Sequence, residues 1–532
     1  MPSGSLILTI DQGTTSTRAI VFDESACPIG SAQQELRQIF PQSGWVEHDP
    51  VEIAESAIGV ARLALEDAAA TAADVVAMGI TNQRETTVIW ERATGRPLAN
   101  AIVWQDHRTA DICNAISDAG LADDIWSRTG LIVDPYFSAT KMRWMLDHLP
   151  IPNLQARAEI GEVRFGTVDS WLIDQLARGS ADTPQDDVPH LTDVTNASRT
   201  MLLNLHDLEW DPELLDIFKI PEATLPTPLP SAGTFAATHR SIFGREIPIT
   251  GVAGDQHAAL YGQACFARGD MKCTYGTGAF LLANSGANLD LFTGATGSGQ
   301  LTADDLDEAN SGLLFTLGWQ AGGSKTYALE ASIFNTGSTM QWLRDGLGII
   351  ANAEESSDIA VMLGDNEGVY LVPAFSGLGS PHWDPHARAS ITGISRGTTK
   401  DHVVRAALES TAYQVKEVVD IMDSQLRMPR RGNRRQRVLR VDGGQTRNPF
   451  LMQFQADLLD RPIEVSAVDE TTALGAAFLA GRAAGIWRTD RELATLWQCD
   501  RRYEPEMSES ERIRLMSGWN EALRRTKTSF RE

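Results

Sequence analysis

Residues 6–23, LILTIDQGTTSTRAIVFD, constrain this chain more than any other stretch. An apolar run, Leu6 to Ile10, ends in Asp11; a small polar turn, Gln12 to Thr17, follows; a second apolar run covers Ala19 to Phe22. Two apolar runs joined by so short a connection read as a β-hairpin. Gly13 admits a tight or left-handed turn. Thr14, Thr15 and Ser16 offer hydroxyls and backbone N–H groups to an anion, Arg18 adds a fixed positive charge, and Asp11 is placed to hold a hydrated metal ion. The segment is either a hairpin for nucleotide phosphates or an ordinary hairpin with a Thr-rich turn.

The second half echoes the first. Residues 271–284, MKCTYGTGAFLLAN, again read as strand, small turn (Gly276-Thr277-Gly278) and apolar strand. One such unit per half suggests two related domains closing on one nucleotide, although unrelated hairpins also look alike at this level. Farther on, a strand at 437–441 runs into Asp442-Gly443-Gly444, and a helix begins near Asn448-Pro449, with proline favoured at the first helical position. Two glycines there let a ligand lie on bare backbone, and the helix N-terminus favours anions. A ligand-free strand–helix turn has the same composition.

Length and charge narrow the class. A chain of 532 residues implies at least two domains, and its 42% hydrophobic content supplies core for them. A net charge of −24 argues against nucleic-acid binding, which needs a basic surface. It does not exclude phosphate held by a local pocket of Arg, Lys, backbone N–H groups and magnesium. Cys27, Cys113, Cys265, Cys273 and Cys499 are scattered and form no Cys-x-x-Cys pair, which reads as reduced thiols in the cytoplasm. No charged-then-apolar leader opens the chain, and no run approaches the roughly 18 apolar residues of a membrane span, so no membrane insertion is expected.

Between the hairpins the pattern alternates. Helical spacing predicts helices at 51–73, 139–149 and 168–178, with buried strands at 75–81 and 86–90. A Pro-rich, loop-like stretch at 221–230 precedes a strand at 247–253. A domain change soon after that strand is expected, giving units 1–252 and 253–532. Residues 471–482 are a small-residue helix suited to close packing. Residues 179–193 read as a polar, Pro-broken surface loop and 427–437 as a basic exposed loop.

In chain order, DQGTTSTRA (11–19), GWVEHDP (44–50), GITNQRETT (79–87), AIVWQDHRT (101–109), DPYFSATK (134–141), TNASRTML (195–202), GDQHAALYGQ (254–263), TYGTGAF (274–280), GLGSPHWDPHARA (377–389) and VDGG (441–444) resemble the FGGY carbohydrate kinase family of the actin-like ATPase superfamily, in its glycerol-phosphorylating branch. The resemblance implies an α/β fold of two actin-like (ribonuclease H-like) ATPase domains with a nucleotide cleft between them. It also implies ATP and Mg2+, phosphorylation of glycerol to sn-glycerol 3-phosphate, and a homodimer or homotetramer.

A small triol needs both a carboxylate to accept from hydroxyls and a guanidinium to donate. Arg84 and Glu85, at a turn joining two strands, supply both, although composition alone reads them as an exposed ion pair. The resemblance assigns them to glycerol, with Tyr136 on a hydroxyl, Trp104 and Phe280 as an apolar wall, and Gln256 orienting the substrate. Asp255 follows a strand, where a carboxylate can face a cleft and take a proton or simply cap a turn. The resemblance makes it the general base. By the same resemblance Asp11, through water, and Asp255 hold magnesium. Thr14, Thr15, Ser16 and Arg18 meet phosphates from the first half and Thr277 from the second; Gly337 and Gln341 lie near base and ribose; Gly444 and Asn448 complete the adenosine side. His107 falls outside this set and is expected at the surface or behind the site. His239 and His257 lack partner spacing for a metal.

Overall fold

Two large sheets of one design carry the chain in this computed structural model, which describes residues 5–180, 183–184, 188–289, 312–428 and 437–528. The first collects β1 (Leu6–Gln12), β2 (Ser16–Phe22), β3 (Pro28–Glu35), β4 (Val75–Asn82), β5 (Ala232–Ala237) and β6 (Pro248–Gly254) in the order β5-β6-β4-β1-β2-β3. β1, β2 and β3 run antiparallel, β4 and β6 add in parallel with β1, and β5 closes the edge antiparallel. The second collects β7 (Met271–Tyr275), β8 (Ala279–Gly286), β9 (Leu314–Ala321), β10 (Ser324–Ile333), β11 (Leu439–Asp442), β12 (Ile463–Ser466) and β13 (Cys499–Tyr503) in the order β9-β10-β8-β7-β11-β12-β13. With β1 matched to β7, the orders β3-β2-β1-β4-β6-β5 and β10-β8-β7-β11-β12-β13 agree in strand direction throughout, and β9 is an added edge. The repeat seen in the two hairpins is therefore a repeat of topology.

Local chemistry accounts for the helices. α1 (Pro50–Asp67) opens with proline in its first turn, and the Asp49 carboxylate accepts from the Val51 N–H. Ile53, Ala57, Val60 and Ala64 recur at helical spacing and are fully buried. The helix stops six residues short of the expected 73. Ala69 takes a left-handed φ of 49°, and the Asp74 carboxylate captures the Thr71 N–H and hydroxyl, turning the chain into β4. α2 (Val168–Arg178) has the expected bounds, and the helix expected at 139–149 runs Ser138–His148. α3 (Asp255–Gly262) follows β6 without a break, and α4 (Lys400–Gln425) lies on the second sheet's side. α5 (Pro449–Leu459) starts at the expected proline and is capped by Asn448.

α6 (Thr471–Ala484) is the expected small-residue helix. It is seated on α3 and against β4 and β6 of the first sheet. A Cβ at Gly475 would lie 1.8 Å from the Ala258 carbonyl oxygen, and one at Gly79 2.5 Å from that of Ala476. Only missing side chains permit this approach.

Two loop expectations are corrected. Residues 191–193, the end of the supposed surface loop, form a strand paired in parallel with Thr227–Leu229 inside the supposed Pro-rich loop. Asp193 is fully buried because Thr195, Asn196 and Ser231 donate to its carboxylate. Residues 429–436 of the basic segment lie outside the described residues. All five cysteines are unpaired, and among the described residues no helix is long and apolar enough to cross a membrane.

Candidate functional site

Gln12, Asn82 and Gly254 stand side by side at the carboxyl ends of β1, β4 and β6. Parallel strands point one way, so whatever follows each emerges on one edge of the sheet. The first hairpin turn, the Arg84-Glu85 corner and Asp255 are brought together in this manner although the chain separates them widely.

The first turn is held from behind. The Gly13 carbonyl accepts from the side chains of Gln12 (2.7 Å) and Gln83 (3.2 Å), and the Thr14 carbonyl accepts from Gln38 (2.7 Å). Thr14 and Thr15 line a cavity of about 520 Å³. In the second hairpin, Thr336 and Ser338 N–H groups donate to the Thr277 carbonyl, and Thr277 lines the same cavity from the other side. Gly278 is required there, since a Cβ would lie 2.4 Å from the Ile333 carbonyl oxygen.

The polyol candidates line that cavity as well: Arg84, Glu85, Trp104, Tyr136, Asp255, Gln256 and Phe280. Glu85 has a left-handed φ of 59°, and the Thr86 N–H closes back on the Arg84 carbonyl at 2.7 Å. Such a corner is strained for a residue with a Cβ and is held only by its surroundings. Arg84 and Glu85 are 3% and 1% exposed, which overturns the surface ion-pair alternative. Arg84 Nε lies 3.1 Å from Asp255 Oδ1, and Arg84 Nη2 donates to the Tyr136 hydroxyl at 3.4 Å. The Trp104 ring meets Tyr136 and Phe280 edge-on, with centroids 5.6 and 6.3 Å apart, making an apolar wall. Gln256 Oε1 accepts from the buried Lys272 ammonium, which orients the amide.

Burial raises the Glu85 carboxyl, and the Arg84 and Arg199 guanidiniums oppose it. Asp11 is partly exposed as a residue, yet desolvation of its carboxyl pushes it up to about 6; the Thr472 hydroxyl opposes this and the Asp255 charge adds to it. Asp11 and Asp255 thus feel one another across the cleft. Among the described residues no three His, Cys, Asp or Glu side chains form a metal cage. Two neighbouring carboxylates suit an ion such as magnesium, which keeps most of its water and shares substrate phosphate.

Other nucleotide candidates sit outside the cavity lining. Ser16 Oγ and Arg18 both bond Gln33, and Arg18 also pairs with Glu470. Gly337, Gly276 and Gln445, next to Gly444, form one neighbourhood: the Gly337 N–H donates to the Gly276 carbonyl (3.2 Å), as does the Gln445 amide (2.8 Å). Gln341 is exposed on the short helix Gly337–Gln341, and open space lies over Gly444. Asn448 spends its side chain on the α5 cap and on Ser356. His107 is exposed at the cavity's rim, and His257 is fully buried with Nε2 3.4 Å from the Thr316 hydroxyl.

Sequence reasoning misses four buried charges behind the cavity: Glu330, Arg199, Lys272 and Lys141. A lone charge in an apolar strand, as in YALEASI or MKCTY, is the available signal, because such a group must be paired.

Comparisons with known proteins give the family of the chain. Residues 6–262 match the N-terminal domain, and 271–484 the C-terminal domain, of the FGGY family of carbohydrate kinases. The chain is 52% identical over 522 residues to glycerol kinase 2 of Thermotoga maritima, covering 98% of each. It resembles the crystal structure of Plasmodium falciparum glycerol kinase with ADP at a TM-score of 0.85 and 36% identity, covering 98% of each chain. A xylulose kinase from Lactobacillus acidophilus shares the fold, with a TM-score of 0.80 at 21% identity over 99% of this chain and 100% of that one.

Proposed function

The chain belongs to the FGGY family of carbohydrate kinases, and from its likeness over nearly its whole length to glycerol kinases within that family we infer that it is an enzyme transferring the γ-phosphoryl group of ATP to glycerol. One observation carries the reading: a single cavity is lined by the polyol set around Arg84 and Asp255 and by Thr14, Thr15 and Thr277 of both hairpin turns. Acceptor and phosphates can therefore meet in one space.

Glycerol lies with its carbons on the Trp104–Phe280 wall and its hydroxyls on Arg84, Glu85 and Tyr136. Asp255 accepts the proton of the terminal hydroxyl as that oxygen attacks the γ-phosphorus, while the bond to the ADP oxygen breaks in line. Magnesium, held by Asp11 and Asp255, would neutralise charge on the phosphates. The hairpins align the donor with little covalent help from the protein. Closure of the cleft on glycerol excludes water as a competing acceptor.

The test is ADP release with magnesium-ATP and glycerol, beside xylulose, ribulose and dihydroxyacetone, and with Asp255→Asn. Glycerol-dependent turnover that drops about a thousandfold in the variant is expected. Turnover on a pentulose with none on glycerol would keep the family and discard the substrate; no acceptor-dependent turnover would discard the reading.

A further inference from the structure

Glu330 stands on β10 of the second sheet, fully buried, among strand neighbours that are mostly apolar. Its carboxylate meets two guanidiniums of the first half. Arg84 grips it with both terminal nitrogens, Nη1 to Oε2 at 2.7 Å and Nη2 to Oε1 at 2.8 Å, and Arg199 Nη2 reaches Oε1 at 3.1 Å. Arg199 Nε in turn bonds Glu85 Oε1 at 2.7 Å. A chain of charge therefore runs Glu85–Arg199–Glu330–Arg84–Asp255. Arg199 and Glu330 sit behind the cavity, and Glu85, Arg84 and Asp255 line it.

Stability explains this cluster poorly. Desolvating several charges costs so much that apolar replacements are often as stable. The ionisation of Glu330 fits a different role: burial alone would raise its carboxyl, yet Arg199 and Arg84 outweigh that and hold it well below the ordinary carboxylate range. A two-point grip on planar Arg84 fixes both its position and its plane. It also commits both terminal nitrogens to Glu330, while the nearest approach of Arg84 to Asp255 is Nε to Oδ1 at 3.1 Å. Without Glu330 the fork is free to fold onto Asp255 or Glu85, the groups a polyol needs as acceptors.

We propose that Glu330, acting with Arg199, is a positioning residue that sets Arg84 and Glu85 for the acceptor and ties the polyol site of the first sheet to the second sheet. This rests on the glycerol-phosphorylating reading above. Neither residue need touch substrate, so their loss should weaken the acceptor site and spare the nucleotide site.

The experiment measures steady-state constants and calorimetric glycerol binding for the wild type, Glu330→Gln, Arg199→Lys and the double variant, with melting temperatures alongside. Glu330→Gln should raise the glycerol KM and Kd at least about tenfold, with kcat within about threefold and ATP KM within about twofold. Arg199→Lys, which keeps the charge and loses the planar bridge, should move the same constants in the same direction and stands as the test if Glu330→Gln does not fold. The double variant should be no worse than about twice the worse single one, because the two act through one network. Unchanged glycerol KM and Kd in a folded variant would overturn the proposal, as would a loss confined to kcat or shared equally with ATP KM. A wild type without glycerol-dependent turnover would instead overturn the reading on which it rests, and this inference with it.

Discussion

The Trp104 indole N–H donates to the Thr14 hydroxyl at 2.9 Å. One side chain thus joins two parts of the cavity: its ring faces Tyr136 and Phe280, and its nitrogen holds the Thr14 hydroxyl of the first hairpin turn. Trp104→Phe keeps an aromatic wall and deletes the donor. Loss of one such bond is worth about 1 kcal/mol, or roughly fivefold. The expected result, at saturating glycerol, is a kcat/KM for magnesium-ATP about fivefold lower. An effect confined to glycerol KM would reduce Trp104 to a wall and nothing more.

Lys141 supports the loop that presents Tyr136. Its buried ammonium donates to the carbonyls of Pro135 (2.7 Å), Tyr136 (2.6 Å) and Phe137 (3.1 Å). Burial lowers it from 10.5 to about 8, against the pull of Glu85 and Asp106. A depressed lysine favours folding fully above its unfolded value of 10.5 and loses that contribution as pH falls through about 8, so global stability does not drop on the alkaline side on its account. The loop behaves differently. Above pH about 8 the neutral amine has two N–H groups for three carbonyls. Glycerol KM should therefore rise about two- to fivefold as the pH climbs through this window. Lys141→Met should start with a raised KM and remain flat across the same range; a wild-type profile equally flat would refute the role.

What was legible in the sequence and what was not divide along chain distance. The hairpin at 6–23, the Asn448-Pro449 helix start and the Arg84-Glu85 corner depend on residues a few positions apart, so turn chemistry and periodicity find them. α2 is bounded by Thr167 and Gly179, local signals again. Glu330 escapes because its meaning lies in Arg84, 246 residues away, and Arg199, 131 away. The strand at 191–193 hides within polar sequence because the donors that make Asp193 tolerable inside include Ser231, 38 residues on. The hairpin of β9 and β10 and the long α4 are absent from the sequence reading, although Gly322-Gly323, both at positive φ between Ala321 and Ser324, is a local turn signal for the first. Ser16, Arg18 and Asn448 are assigned to a nucleotide by likeness alone; in the structure their side chains bond Gln33, Glu470 and Ser356.

Asp11 carries a cost that depends on pH. Its carboxyl is raised from 3.8 to about 6, chiefly by desolvation. A raised acid favours the fold fully below about 3.8 and loses that contribution as pH rises through about 6. At pH 8, without metal or nucleotide, the ionised group destabilises the protein by at most about 3 kcal/mol. Asp11→Asn, which mimics the protonated acid toward Thr472, should then melt several degrees above the wild type at pH 8 and together with it near pH 4. The same variant should lose most magnesium-dependent turnover. A variant no more stable than the wild type at pH 8 would contradict the burial argument.

Gly475 connects packing to catalysis. A Cβ there would sit 1.8 Å from the carbonyl oxygen of Ala258 and 2.5 Å from its carbonyl carbon, both backbone atoms of α3 that cannot rotate away. α3 carries Asp255 as its first residue. Gly475→Ala must therefore push α6 and α3 apart, and overpacking of this kind costs about 1–3 kcal/mol. Because α3 also bears the proposed base, the shift should reach the chemistry: an ångström of misplacement can cost about a hundredfold in rate. The expected variant melts several degrees lower and, well below its melting point, turns over at least about tenfold more slowly at saturating glycerol and ATP. The control is Gly485→Ala at the helix end, where a left-handed φ of 80° strains the backbone but no atom lies within 4 Å of the added Cβ. That variant should lose stability and keep kcat. Equal kcat in the two variants would separate α6 packing from the placement of Asp255.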